Sequence, residues 1–409
     1  MDKGPTLYAG GLVFDGLEAP QAGLGVLVDK GRIEAVKPVA AFEGFAGERV
    51  DTRGATLMPG LMDCHIHICY GAEGNPGDAA EKLTLSALTL KAMDNARKIL
   101  EGGVVAVRDC GGKDYVDLDV RDALNAGRFP GPVMRASGKM ICMTGGHGNK
   151  NGIVADGCDE VIKAVRTNVH KGADVIKIMA TGGVMTPGVN PEDAHYSAEE
   201  MAAGISEAKR FNKRTASHAQ GAEGILNAVR GGIHSIEHGI FMNEECIREM
   251  IERGVFLVPT LAAVKNIIAN RDRGIPAWAV EKSERVYDIH IAAFRAYQAA
   301  GGKVAMGTDA GTPFNQHGEN AQELAHMVEA GMSRLDALIA GTSNAAELIE
   351  PGERGRVAEG LVADLLLVRG NPAEDIAMAA ERANHLMVIK DGRTFADRRA
   401  GAEMAQAAE

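Results

Sequence analysis

The chain has 409 residues, 45% of them apolar and 24% charged, enough to bury the core of one large barrel-type domain and a smaller one. A net charge of −11 lacks the basic stripe of a nucleic-acid binder, and no apolar run approaches the roughly 18 residues of a membrane span. The six cysteines follow no framework spacing and no basic segment leads into an apolar one at the N-terminus, so free thiols in a cytoplasmic protein are expected.

Residues 6–57 read as short strands and turns. Within them "LGVLVDKGRIEAV" sets an Asp-Lys-Gly-Arg turn between two apolar alternations, the mark of a hairpin. From residue 58 the pattern changes to short apolar runs, each followed by a helix-period segment or a long loop. In order the runs are "TLMPGLMDCHIHI", "GVVAVRDCGG", "PVMRASGKMI", "ADVIKIMATGG", "KRTASHAQ", "IHSIEHGI", "VFLVPTL" and "GKVAMGTDAG". Eight such units predict parallel strands closed into a (β/α)8 TIM barrel, since a doubly wound sheet would need a Gly-rich dinucleotide turn after its first strand. Beyond the barrel, "ADLLLVRGNP" and "HLMVIKDGRTF" are again strand-like. The expected architecture is α/β: a barrel over 58–356 and a small β-sandwich built from both chain ends, 1–57 and 357–409.

Chemistry in such a barrel sits at the C-terminal ends of the strands. Alternation along a strand turns Asp63, His65 and His67 to one face, with the two imidazoles about 7 Å apart. The other strand ends supply Lys177, His218, His238 and Asp309, a donor set suited to Zn²⁺. Lys177 stands inside an apolar strand, where burial favours the uncharged amine. Such an amine can add CO2 and become a carbamate, an anionic ligand able to bridge two cations that share a hydroxide. A single metal would need only the histidines and Asp309. His234 and His238 lie about 13 Å apart along a strand, so both cannot reach one ion. His147 in "MTGGHGN" and Tyr196 in "AHYSAEE" stand in loops where either a structural or a substrate-contacting role is open. Structural roles are expected for His170, His195, His290, His317, His326 and His385, and a helix N-cap for Asn344. "TGGVMTPGVNP" reads as a mobile active-site loop.

The motifs "DCHIH", "DVIKIMATGG", "ASHAQG", "SIEHG" and "GTDAG" resemble the amidohydrolase superfamily over essentially the whole chain. More narrowly, "GADVIKIMATGG", "TGGHG" and "HYSAEE" are similar to its Xaa-Pro dipeptidase group, with the imidazolonepropionase-related enzymes nearby. The resemblance implies two zinc ions, one held by His65, His67 and Asp309 and one by His218 and His238, bridged by carboxylated Lys177. It selects His238 over His234, gives Asp309 the proton transfer, and makes His147 a donor to the substrate carbonyl and Tyr196 a donor to a substrate carboxylate. The implied reaction is hydrolysis of dipeptides (Xaa-Pro type) or N-acyl amino acids. Release of basic residues, cleavage of an ochratoxin-like aromatic amide, and mononuclear deaminase or cyclic-amide chemistry are alternatives. Lys177 counts against the last, which lacks the strand-4 lysine, and a barrel without chemistry would show replaced ligands. A homo-oligomer acting on a small molecule, with no nucleic-acid or membrane partner, completes the expectation.

Overall fold

Seven of the eight runs form strands: β1 Leu61–Ile66, β2 Val104–Asp109, β3 Val133–Ala136, β4 Val175–Met179, β5 Arg214–Ala219, β6 Ser235–His238 and β7 Phe256–Val258. This computed structural model describes residues 4–350 and 352–399; residues 1–3 and 400–409, the outer ends of the expected sandwich segments, lie outside the described residues. β1, β2 and β4 are buried along their whole length, and β2 and β4 accordingly read as Val- and Ile-rich runs.

Strands β3, β2 and β1 neighbour one another in one sheet, and β4 to β7 pair in parallel in a second. Residues 304–310 join the two sheets on one side. Val304 bridges Leu257 and Ala310 bridges Ile66, both in parallel, while the amides of Cys64 and Asp309 donate to Met306 O (2.8 Å) and His65 O (2.7 Å). On the other side the Asp174 amide, just before β4, donates to Ala136 O of β3 at 2.8 Å. The circuit closes as a (β/α)8 barrel.

The chain divides into two compact units. One, Asp63–Arg97 and Val107–His317, holds every strand-end residue singled out above. The other, Met1–Met62, Lys98–Ala106 and Gly318–Glu409, is a β-sandwich. Its four-stranded sheet orders Arg32–Pro38, Leu24–Asp29, Thr6–Ala9 and Glu48–Asp51. Its six-stranded sheet interleaves both chain ends, with Ala55–Pro59 antiparallel to Leu365–Arg369. Val26, Val28 and Ile33 of the first sheet share one core with Leu57, Leu365 and Met387 of the second. This unit also takes in 98–106 and 318–356, which the sequence pattern places with the barrel. The Leu61 amide donates to Gly103 O (3.0 Å) and the Gly60 amide to Asp364 O (2.9 Å), and these bonds tie that chain to the terminal strands.

Asn344 is not the N-cap: it lies inside the helix Ser343–Ile349, whose N-cap is Thr342. All six cysteines are free thiols. Among the described residues, no helix is long and apolar enough to cross a membrane.

Candidate active site

Strand alternation turns Asp63, His65 and His67 inward on β1, and each finds different work. Asp63 accepts from the amides of His65 (3.0 Å) and Thr308 (3.1 Å) and from Thr308 Oγ1 (2.6 Å), fixing β1 against residues 304–310. His65 Nε2 and His67 Nε2 instead converge on Asp309 Oδ1, at 3.5 and 3.3 Å. Lys177, 1% exposed on β4, brings Nζ within 3.5 Å of His65 Nε2, and no carboxylate pairs with it among the described residues. The His238 ring lies 5.2 Å from that of His65 and 4.5 Å from that of His218; the His147 ring lies 4.5 Å from His218 on the far side. The structure therefore brings His65, His67, Lys177, His218, His238 and Asp309 into one cluster, with His147 at its edge.

The far nitrogen of each imidazole is anchored. His65 Nδ1 meets Glu237 Oε2 at 2.8 Å, His67 Nδ1 meets Gly111 O at 2.9 Å, and His218 Nε2 meets Gly182 O at 2.8 Å. Carboxylates and carbonyls only accept, so in these three the anchored nitrogen carries the proton and the other offers its lone pair to the cluster, the tautomer a metal requires. His238 Nδ1 and His147 Nδ1 lie 2.7 Å from Thr260 Oγ1 and Thr186 Oγ1. Burial holds His65, His218 and His238 well below the ordinary imidazole range, reinforced by Lys177, His147 and His65 respectively. Burial pulls His67 down too, but the Asp309 carboxylate beside it outweighs this and raises it.

Two backbone positions depart from strand geometry. Alternation on β6 sends Ser235 and Glu237 into the barrel and should send His238 out; a positive φ of 72° at His238 turns its ring back over the cluster. Asp309 adopts φ 61° in the same way. Neither is glycine, and strain of this kind concentrates where function needs a side chain in one place.

Glu237 and Arg108 belong to the site although neither was expected there. Arg108, 2% exposed, donates to Glu237 Oε1 (2.7 Å), to Ser235 Oγ (3.0 Å) and to Cys64 O (2.6 Å), so the carboxylate orienting His65 is itself oriented. The signal was present in the charges interrupting "VVAVRD" and "SIEHG", the same anomaly that exposes Lys177.

Among the described residues, two donor groups are compact enough to grip an ion: His65, His238 and Asp309, and His65, Cys110 and Glu237, each within 4.8 Å. The second does not fit, because Glu237 is already held by Arg108 and burial pushes the Cys110 thiol up to about 12, keeping it protonated. The first fits well. Asp309 Oδ1 is buried without a hydrogen-bond partner, an anionic oxygen facing imidazole lone pairs that only a proton or a cation can reconcile.

Residues 56–395 match the amidohydrolase family. The chain belongs to this family. Ochratoxinase from Aspergillus niger is 32% identical over 377 residues, covering 84% of this chain and 76% of that protein. Among solved structures, a Xaa-Pro dipeptidase with bound methionine superposes with a TM-score of 0.88 at 34% identity, covering 96% of this chain and 99% of the other. A prolidase complexed with N-methylphosphonate-L-proline gives 0.87 at 30% identity, covering 96% and 100%. This amidohydrolase is accordingly a metal-dependent hydrolase acting on amide C–N bonds.

Tyr196 is buried and its hydroxyl donates to Ala155 O at 2.8 Å, a partner within the fold. The loop 181–191 is pinned where mobility was expected, because Lys282 Nζ donates to Gly183 O (3.4 Å), Thr186 O (2.8 Å) and Val189 O (2.5 Å). His234 accepts from the Thr215 amide at 3.1 Å, a structural bond as expected. His290, His317 and His385 likewise hydrogen-bond backbone carbonyls. His195 is buried with neither ring nitrogen partnered, its Nδ1 3.0 Å from where a Gly146 side chain would begin.

Proposed function

We propose that this amidohydrolase is a binuclear zinc enzyme that cleaves the amide bond of dipeptides, Xaa-Pro dipeptides first, or of N-acyl amino acids. The observation that carries the reading is Lys177. A fully buried ammonium with no carboxylate partner, next to a neutral imidazole, is a costly arrangement. Carboxylation to a carbamate turns it into an anion among four neutral imidazoles, and two divalent ions then balance the carbamate and Asp309. His65, His67 and Asp309 would hold one ion, His218 and His238 the other, and carboxylated Lys177 both. When bound, the ions supply a water of lowered pKa and polarise the amide carbonyl. Asp309 takes the proton from the attacking water and returns it to the leaving nitrogen, a role for a carboxylate within reach of both atoms. His147, whose pKa burial lowers to about 3, is a neutral imidazole able to donate to the carbonyl oxygen as charge develops there. The dipeptidase and prolidase structures at 34% and 30% identity support the peptide reading, and ochratoxinase at 32% supports an aromatic N-acyl amino acid as the second.

The test is free amino-acid release by protein reconstituted with zinc and bicarbonate, offered Xaa-Pro, Xaa-Arg/Lys and N-acyl amino acid libraries, alongside metal counting. Lys177→Ala is expected to abolish turnover and leave about one ion or fewer. Two ions and full turnover in that variant would overturn the carbamate bridge; silence across all three libraries would overturn the substrate reading.

A further inference from the structure

The pinned loop reaches the cluster at two points. Gly182 O fixes His218 Nε2, and Thr186 Oγ1 fixes His147 Nδ1. The loop is rich in glycine and proline; its stem, Thr181–Gly183 and Pro191, is buried, while Pro187, Gly188 and Asn190 at its tip are exposed. Val184 and Met185 pack against the apolar cluster of Ile267, Ile275, Ala279 and Val280, and the tip draws polar support from one helix, Ala277–Ala299. From it Lys282 sends one ammonium to three carbonyls spread over the loop, Gly183, Thr186 and Val189, which fills the donor capacity of the group. One turn further along, Arg285 grips Glu192, just beyond the loop, through both guanidinium arms. The carbonyl Lys282 holds at 2.8 Å belongs to Thr186 itself, the residue whose side chain meets His147. There is no slack on the other side: a Cβ on Gly183 would lie 2.7 Å from the His147 ring, so the ring is packed against the loop backbone.

We infer that Lys282 is a positioning residue for His147. By fixing the Thr186 backbone it aims the Thr186 hydroxyl at His147 Nδ1 as a donor, which leaves the proton on Nε2, facing the substrate. The inference rests on the proposed hydrolysis for its kinetic consequence and not for its structural one. An imidazole whose partner is a hydroxyl can take either tautomer, and only the one with Nε2–H can donate to a developing oxyanion. Loosening Thr186 therefore randomises the donor without removing it.

The experiment is nitrogen-15 NMR of the histidine side chains in full-length, zinc-loaded protein, His147 being assigned by H147Q, with steady-state kinetics alongside. In the wild type His147 should appear as the Nε2–H tautomer. In Lys282→Met it should become a mixture, with kcat lowered about tenfold or more and KM changed far less. Lys282→Arg, whose fork can still reach several carbonyls, should restore much of both. Thr186→Val removes the hydroxyl while keeping the shape, and should reproduce the tautomer change even if Lys282→Met fails to fold. A His147 that is Nδ1–H in the wild type, or unchanged in Thr186→Val, would overturn the inference. Because the tautomer is read without turnover, absence of amide hydrolysis would fall on the proposed function and leave this result standing.

Discussion

Asp309 carries two burdens that a substitution can separate. Its Oδ1 faces His65 and His67 at hydrogen-bonding range, and a left-handed backbone holds it there. Asparagine keeps the shape and one ligand oxygen but cannot accept a proton and pass it on. Asp309→Asn should therefore retain much of the metal, counted by atomic absorption, while losing several orders of magnitude in turnover. Turnover within tenfold of wild type would remove Asp309 from proton transfer. Tyr196 calls for the opposite pattern. Its hydroxyl serves Ala155 O, so Tyr196→Phe should lower stability by about 1 kcal/mol in urea titrations and leave KM for carboxylate-bearing substrates unchanged. The contrast shows what was legible at this scale. His65, His67, Lys177 and His218 could be found because a barrel strand dictates where its last side chains point, whereas His238 and Asp309, turned inward by a positive φ, were singled out by the resemblance of "SIEHG" and "GTDAG". The bond of Tyr196 was not legible because its partner is a backbone carbonyl 41 residues away, and carbonyls look alike in every sequence.

Turns are the elements where local sequence speaks most directly, and the sandwich has two that meet. Lys30-Gly31 and Asp391-Gly392 both take the paired positive φ of a type I′ hairpin, 47° and 82° in one, 50° and 70° in the other. The sequence predicts the first as a hairpin and reads the second only as a strand-like segment containing Asp391-Gly392. It does not predict that they pack tip to tip, with Ala363 between them donating to Gly31 O and accepting from the Gly392 amide, each at 2.9 Å. A Cβ on Gly392 would come within 2.6 Å of Gly31 Cα, whereas one on Gly23, also at positive φ (79°), would meet nothing within 4 Å. Gly23→Ala should therefore cost about 1 kcal/mol, the strain of the conformation alone, and Gly392→Ala about 2–3 kcal/mol as backbone is forced apart. Denaturant midpoints decide it, and equal losses would mean that the turns do not press on one another. The loop 181–191 lacked such a signal for a related reason. Its conformation draws on Lys282, from a helix more than 90 residues later, acting on carbonyls.

For the molecule as a whole, the buried histidines make folding sensitive to mild acid. Burial lowers His290 and His385 to about 4 and His147 to about 3, against 6.5 in an unfolded chain. Between those values the unfolded chain binds the extra protons, so stability rises with pH. The contribution is fully present above about pH 6.5 and is lost as pH falls toward 4. His385 isolates the effect, because it has no part in the metal cluster. Its Nε2 donates to Ala379 O at 2.9 Å, and its Nδ1 is buried without a partner, 2.9 Å from where a Gly103 side chain would begin. The shift corresponds to about 3 kcal/mol across the window, at roughly 1.4 kcal/mol per unit. His385→Gln keeps an N–H in the position of Nε2 and has nothing to protonate. In metal-free protein, urea titrations from pH 7 to pH 4 should show the wild type losing more stability than His385→Gln by about that amount. Parallel curves would mean that His385 accepts its proton without opening the sandwich, and the acid sensitivity would then rest on the buried histidines of the barrel, His65, His147, His218, His238 and His290.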